Sequence, residues 1–198
     1  MLIEVLRQEH RNIEKLLLVL EQELSIFDRG ERPDYEVVRA VIAYFQDYPD
    51  LYHHPQEDLV FTKLKARDSA SAAAIGDLTA EHRKGADRLR RVAQAVEGVL
   101  MDREVSRQSI DEIIRDFIAQ ERHHMAMEER EFFPAAERTL QPEDWVEIAS
   151  ARSTGQSDLL FSESVEHRLA AARKHILQLE QESEAERFGV QSRPMNSR

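Results

Sequence analysis

The chain has 198 residues, 41% hydrophobic and 33% charged, a balance that suits one packed core under a wet surface. Its 38 acidic residues outnumber 27 Lys and Arg, and the formal charge of −11 argues against nucleic acid and anionic membranes as partners, since both call for basic patches. There is no cysteine, which removes disulfides, thiolate metal sites and cysteine nucleophiles and leaves eight His and many carboxylates to carry any chemistry.

From the N-terminus, Ile3, Leu6, Ile13, Leu17, Leu20 and Leu24 recur at helical steps and predict a first helix to about Phe27, stopped by the Gly30–Pro33 turn. Asp34 is a cap for a second helix carrying Val37, Val41 and Phe45, then Val60, Phe61 and Leu64. Pro49 and Pro55 predict a break in it between Tyr48 and Glu57. A third helix is expected from Ser69 or Ser71 through Ile75, Leu78, Leu89 and Val96 to about Leu100. Ser106 caps a fourth, with Ile110, Ile113, Phe117 and Phe132, ending near Pro134. No segment alternates like a strand, so the expected class is all-α, an up-down-up-down four-helix bundle over 1–140. A C-terminal helical extension, 141–187, follows; it contains a short helix at Pro142–Trp145, a loop at Ser153–Asp158 and a helix from about Ser162 to Glu186. Residues 188–198 read as a flexible tail. The longest apolar run, Leu16–Leu20, is far below the roughly 20 residues of a membrane span, and no signal-peptide pattern opens the chain, so a cytoplasmic protein is expected.

A duplication runs through this helical pattern. Glu9-His10-Arg11 recurs 72 residues later as Glu81-His82-Arg83, and His53 with Glu57 recurs 71 residues later as His124 with Glu128. Phe61 recurs as Phe132 at that same offset. A His and a Glu four apart share a helix face and can approach one point. His10 and His82 lie in register with their helices' apolar residues, so four imidazoles and two carboxylates are directed inward. Such a set is costly in a core unless something charged satisfies it, and a pair of metal ions is the simplest candidate. The metal ligands expected are therefore His10, His53, Glu57, His82, His124 and Glu128. His54, Asp58 and His123 are expected beside them as orienting or surface groups, because the duplication aligns His54 with Met125 and His123 with Tyr52. Met125 and Met127 read as core filler, Glu129 and Glu131 as a solvated face, and His167 and His175 as surface residues. A ferritin-like scheme using Glu9, Glu81, Asp50-x-x-His53 and Glu121-x-x-His124 leaves His10 and His82 without a role.

The order His, His-x-x-x-Glu, His, His-x-x-x-Glu resembles the hemerythrin-like HHE cation-binding family. The strings Tyr48-Pro49-Asp50, His53-His54-Pro55-Gln56-Glu57-Asp58 and Glu128-Glu129-Arg130-Glu131-Phe132-Phe133-Pro134 are similar to its characteristic segments, and the likeness covers about Met1–Leu140. Asp144-Trp145 with Asp158-Leu159-Leu160-Phe161 resembles a C-terminal extension of bacterial members. The resemblance implies a bundle holding two Fe ions bridged by carboxylates and an oxo or hydroxo group; Zn or Mn are the alternative metals. Oxygen-carrying members add a His four residues from the one at His82, where this chain has Leu78 and Ala86. That departure implies two open positions and a role in binding or sensing O2, peroxide or NO, in oxidative or nitrosative stress or iron handling, over simple oxygen carriage. Two further readings are a structural or interaction module with a stabilising metal, dimerising through the C-terminal helix, and a di-metal peroxidase or oxidase.

Overall fold

A computed structural model of the chain describes residues 2–48, 52–103, 106–155 and 163–191. Among these residues there is no strand, and no helix is long and apolar enough to cross a membrane. The elements are α1 (Leu2–Asp28), α2 (Tyr35–Tyr48), α3 (His54–Arg67), α4 (Ser69–Ile75), α5 (Leu78–Leu100), α6 (Arg107–Met127), α7 (Phe133–Thr139), α8 (Pro142–Gly155) and α9 (Glu163–Gln191). A π-helical turn, Glu128–Phe132, joins α6 to α7 without a break.

The starts of these helices follow the side chains that satisfy their first amides. Asp34 Oδ1 accepts from the Glu36 and Val37 amides at 3.0 and 3.3 Å, and Ser106 Oγ accepts from Ser109 at 3.4 Å. The second predicted helix divides as expected: α2 stops at Tyr48, and α3 begins at His54 with Pro55 in its first turn, where no amide donor is needed. Pro49 and Asp50 lie outside the described residues. The third predicted helix proves to be two. Gly76 takes a φ of +97°, which only glycine adopts freely, and Asp77 caps a fresh start through the Ala80 amide at 3.0 Å. Local chemistry thus overrides an apolar stripe that looks continuous from Ile75 to Leu78.

In the C-terminal part, 153–155 belong to α8 and not to a loop, and α9 continues to Gln191, beyond the expected start of the tail. Asp158–Phe161 and 192–198 lie outside the described residues.

Around the bundle, α1 packs on α2 and α6, α2 on α5, and α5 on α6. Two apolar clusters fill it. The larger joins Leu17, Leu20, Val41, Phe45, Val92, Val96, Ile114 and Phe117. The smaller gathers Ile3, Leu6, Val60, Leu64, Leu78, Phe132 and Phe133 at one end. Phe61 and Phe132, the duplicated aromatic pair, meet edge to face at 5.7 Å. His10 falls between Leu6 of the smaller cluster and Ile13 of the larger, so a polar layer separates the two.

α8 packs on α3, where Arg67 forks onto Asp144 at 3.0–3.3 Å, and α9 lies along α2 and α1. Ile176 of α9 joins the larger cluster, and Arg173 donates to Tyr44 Oη at 2.7 Å. His167 and His175 are exposed, as expected of surface residues.

Candidate metal centre

Each half of the duplication contributes a lone His near the start of a long helix, α1 or α5, and an i,i+4 pair farther along, at the start of α3 or the end of α6. In the second half, α6 delivers His124, and the π-turn begins at Glu128, so the backbone widens where the pair sits. In the first half, Tyr52 and His53 form a π-type turn leading into α3. Both pairs close to the same distance: His53 Nε2 is 3.2 Å from Glu57 Oε1, and His124 Nε2 is 3.2 Å from Glu128 Oε1.

The structure brings all six residues into one layer. Glu57 and Glu128 are both 0% exposed, and each splits its oxygens between two points. Glu57 Oε1 faces His53 and, at 3.8 Å, His10 Nε2, whereas Glu57 Oε2 lies 3.5 Å from His82 Nε2. Glu128 does the converse: Oε2 is 3.4 Å from His10 Nε2, and Oε1 faces His124 and, at 3.8 Å, His82 Nε2. Two groups of donor atoms result, His10, His53, Glu57 and Glu128 in one, and His54, Glu57, His82 and His124 in the other. Within each group the donor atoms all lie within 4.8 Å of one another.

The outer ring nitrogens fix the orientation of two of these imidazoles. His53 Nδ1 is 2.8 Å from Glu9 Oε2, and His10 Nδ1 is 3.1 Å from Glu129 Oε1. A carboxylate can only accept, so both Nδ1 atoms carry hydrogen and both Nε2 atoms turn inward, 3.1 Å apart. Two inward nitrogens at that distance need a cation or a shared proton between them. With bonds of about 2.1 Å, neighbouring ligands on one ion lie about 3.0 Å apart, so the spacing suits a metal.

The metal-free electrostatics agree. Burial alone would lower the His53 pKa, but the Glu57 and Glu9 carboxylates overcome it and hold it well above the usual imidazole range. Burial likewise opposes charge on His82, yet Glu128 and Glu57 raise it to about 9. Glu57 is held well below the carboxylate range against its own desolvation, chiefly by His53, and Glu128 is lowered by His10 and His82 despite burial and the repulsion of Glu57. Even so, both oxygens of Glu57 and of Glu128, both nitrogens of His82 and His124 Nε2 are buried without a well-formed hydrogen bond. Buried polar atoms are seldom left so, and a bound cation would satisfy these.

A cavity of about 320 Å³ opens onto this layer from the α5–α6 side. Its wall includes His54, His82 and His124, the apolar Phe45, Leu89 and Phe117, and Glu121. Burial and the nearby Glu128 carboxylate push the Glu121 pKa up to about 7.

The family model of the hemerythrin HHE cation-binding domain matches residues 1–136. The chain belongs to that family. Comparisons with curated proteins and with solved structures find no match. As a hemerythrin-like protein with a His/Glu cluster of this kind, it is a metal-binding protein.

The sequence reading missed Glu9 and Glu129. Glu129 was expected on a solvated face, yet it accepts from Arg7 at 3.3 Å and steers His10. Its signal is positional, because the π-turn rotates residues after Glu128 away from an ideal helix face. Glu9 is buried and reaches His53 across 44 residues, a pairing no local spacing announces. The ferritin-like scheme fails on the same residues: Glu9 is used on an outer nitrogen, and Glu81 is exposed and bound to Lys84 at 2.6 Å. Asp58 sits 3.8 Å from His82 Nδ1, beyond hydrogen-bond distance, and His123 is exposed on the cavity rim. Met125 packs in the larger cluster and Met127 against the smaller one, consistent with filler.

Proposed function

We propose that the protein holds two iron ions through His10, His53, Glu57, His82, His124 and Glu128, and that it binds or senses dioxygen, peroxide or nitric oxide. The observation that carries this reading is the pair of fully buried carboxylates, each dividing its oxygens between two imidazole groups. Imidazole and carboxylate are donors suited to iron, and bound iron would supply a redox-active centre for small oxidants and gases. The chain's own contribution is to orient the donors through Glu9 and Glu129 and to admit small molecules along a cavity of mixed polar and apolar lining. Anaerobic purification with metal analysis, followed by absorption spectra on adding oxygen, peroxide and nitric oxide, tests it. Two irons per chain with a distinct spectral response to at least one of these is the expected result. Zinc or manganese with no response would overturn the redox role and leave a structural metal.

One observation favours a peroxidase- or oxidase-type reading as well. Glu121 lines the cavity with a carboxyl that is half protonated near neutral pH, and so can hand a proton to a guest there. Turnover that persists at the parental rate in Glu121→Gln would remove it from that role.

A further inference from the structure

His54 follows the proposed ligand His53, and the duplication gives it no counterpart imidazole. Its ring nevertheless lies flat on His82, with centroids 3.8 Å apart and planes at 9°, and meets His124 edge-on at 6.2 Å and 86°. A His54 nitrogen shares a single donor group with Glu57, His82 and His124, and takes no part in the group built on His10 and His53.

We infer that His54 is itself a metal ligand, giving the ion on the α5–α6 side three imidazoles while the ion on the α1 side takes two. This rests on the two-ion reading above. Successive residues on a helix point about 100° apart, so at the start of α3 His53 faces α1 while His54 faces α5. Glu57 lies four residues beyond one and three beyond the other, and can therefore sit under both. One turn of chain thus supplies a nitrogen to each ion and a carboxylate between them. Opposite ligands on an ion with bonds of about 2.1 Å are about 4.2 Å apart, so donor atoms spread over 4.8 Å need close by only a few tenths of an ångström. Glu128 Oε1 stands 3.2 Å from His124 Nε2 and 3.8 Å from His82 Nε2 and completes that side with a second carboxylate oxygen. The two ions are inequivalent, three nitrogens against two, where the duplication by itself implies a symmetric pair.

The rival role for His54 is a ring that only stacks on His82 and walls the cavity. Titrating the full-length metal-free protein with Co(II), which reports ligands through its visible absorption, separates the two. The unsubstituted protein should bind two Co(II). His54→Ala and His54→Gln should each weaken one of the two by 100-fold or more and leave the other unchanged, with circular dichroism showing the helical content retained. Because His54 lines the 320 Å³ cavity, millimolar imidazole should enter the His54→Ala protein, restore the weak site at least tenfold and shift its absorption. Parental affinity for both ions in the two variants, or an affinity and spectrum that imidazole does not change, would overturn the ligand role. Failure of the unsubstituted protein to take up two Co(II) would instead overturn the two-ion reading, and the inference with it.

Discussion

Removing the metal is the most informative perturbation, because the donor layer sits between two apolar clusters and many of its polar atoms lack a well-formed hydrogen bond. Glu57 and Glu128 are fully buried, and their four oxygens lack well-formed hydrogen bonds. A buried polar group without a partner costs about 1–3 kcal/mol, so this layer alone can consume much of a domain's net stability of about 5–15 kcal/mol. An ion bound only by the folded state, at a free concentration a thousand times its Kd, contributes about 4 kcal/mol, and two contribute about 8 kcal/mol. At about 2–4 °C per kcal/mol for a chain of this size, chelation should lower Tm by about 15–30 °C. The companion experiment is the double variant Glu57→Gln/Glu128→Gln. In the metal-free protein the two carboxylates are held charged against imidazoles that are held protonated; without the carboxylates burial drives those imidazoles to shed their protons, so the whole arrangement becomes neutral, a replacement that is often harmless or stabilising. The metal-free double variant should therefore melt at or above the metal-free parent, while losing all response to chelator. Differential scanning calorimetry with and without a strong chelator measures both arms. An unchanged parental Tm after verified metal removal, or a double variant several degrees less stable than the metal-free parent, would mean that the donor layer is satisfied without metal.

The remaining predictions concern protons and the C-terminal helices. His53 and His82 are protonated at neutral pH in the metal-free state, so metal must displace those protons; about two should be released per chain at pH 7, and affinity should rise with pH, the His82 share of the rise ending near 9, as an indicator-dye titration would record. Glu121 has its folded pKa raised to about 7 from an unfolded value of 4.5, so its contribution to folding is full below about 4.5 and is lost as pH climbs through 7. Glu121→Gln should accordingly stabilise the metal-free protein at pH 8 by about 3 kcal/mol and leave pH 4 unchanged, checked by urea denaturation at the two pH values. Asp144 accepts both from Arg67 and from the Gln141 amide at 2.9 Å, and Asp144→Ala should lower stability with faster amide exchange in α8. Arg187→Ala should cost about 1–3 kcal/mol in the same urea assay, because Glu23, 2% exposed, keeps among the described residues the Asp34 amide alone once the guanidinium at 3.0 Å is gone.

The helices and the convergence of the six donors were legible because both depend on short-range periodicity. His10 in register with Leu6 and Ile13 has to face inward, and four-residue spacing has to put His53 beside Glu57. The split between α4 and α5 was hidden for a related reason, since apolar periodicity does not register one glycine at positive φ. Glu9 and Glu129 were missed because their roles depend on rotation and cross-chain reach. Glu129 is turned inward by one extra residue in a helical turn, and Glu9 finds a ring 44 positions away. His54 was set aside by strict alignment of the halves, in which the second half holds Met125 at that place. A duplication predicts what is shared between the halves and is blind to what one half adds.

The same asymmetry explains why the chain continues past the matched family segment. The outer face of α2 carries Tyr44, which burial raises to about 12 and which Arg173 of α9 meets with a hydrogen bond. Leu169, Ala172, Ile176 and Leu179 of α9 extend the larger cluster beyond what the four bundle positions enclose. An apolar stripe on α2 broader than one neighbour can cover requires another helix, and α9 provides it. On the other side α8 fastens α3, the helix that carries His53, His54 and Glu57, through the Arg67–Asp144 fork and Lys63 paired with Glu147. Both added helices thus brace the half of the bundle that carries His10, His53 and Glu57 and is interrupted just before the last two. Deleting residues from 141 onward should therefore weaken metal retention as well as stability, and metal content per folded chain after dialysis distinguishes that outcome from general destabilisation. Full metal content in the truncated protein would show that the four bundle positions hold the donor layer unaided.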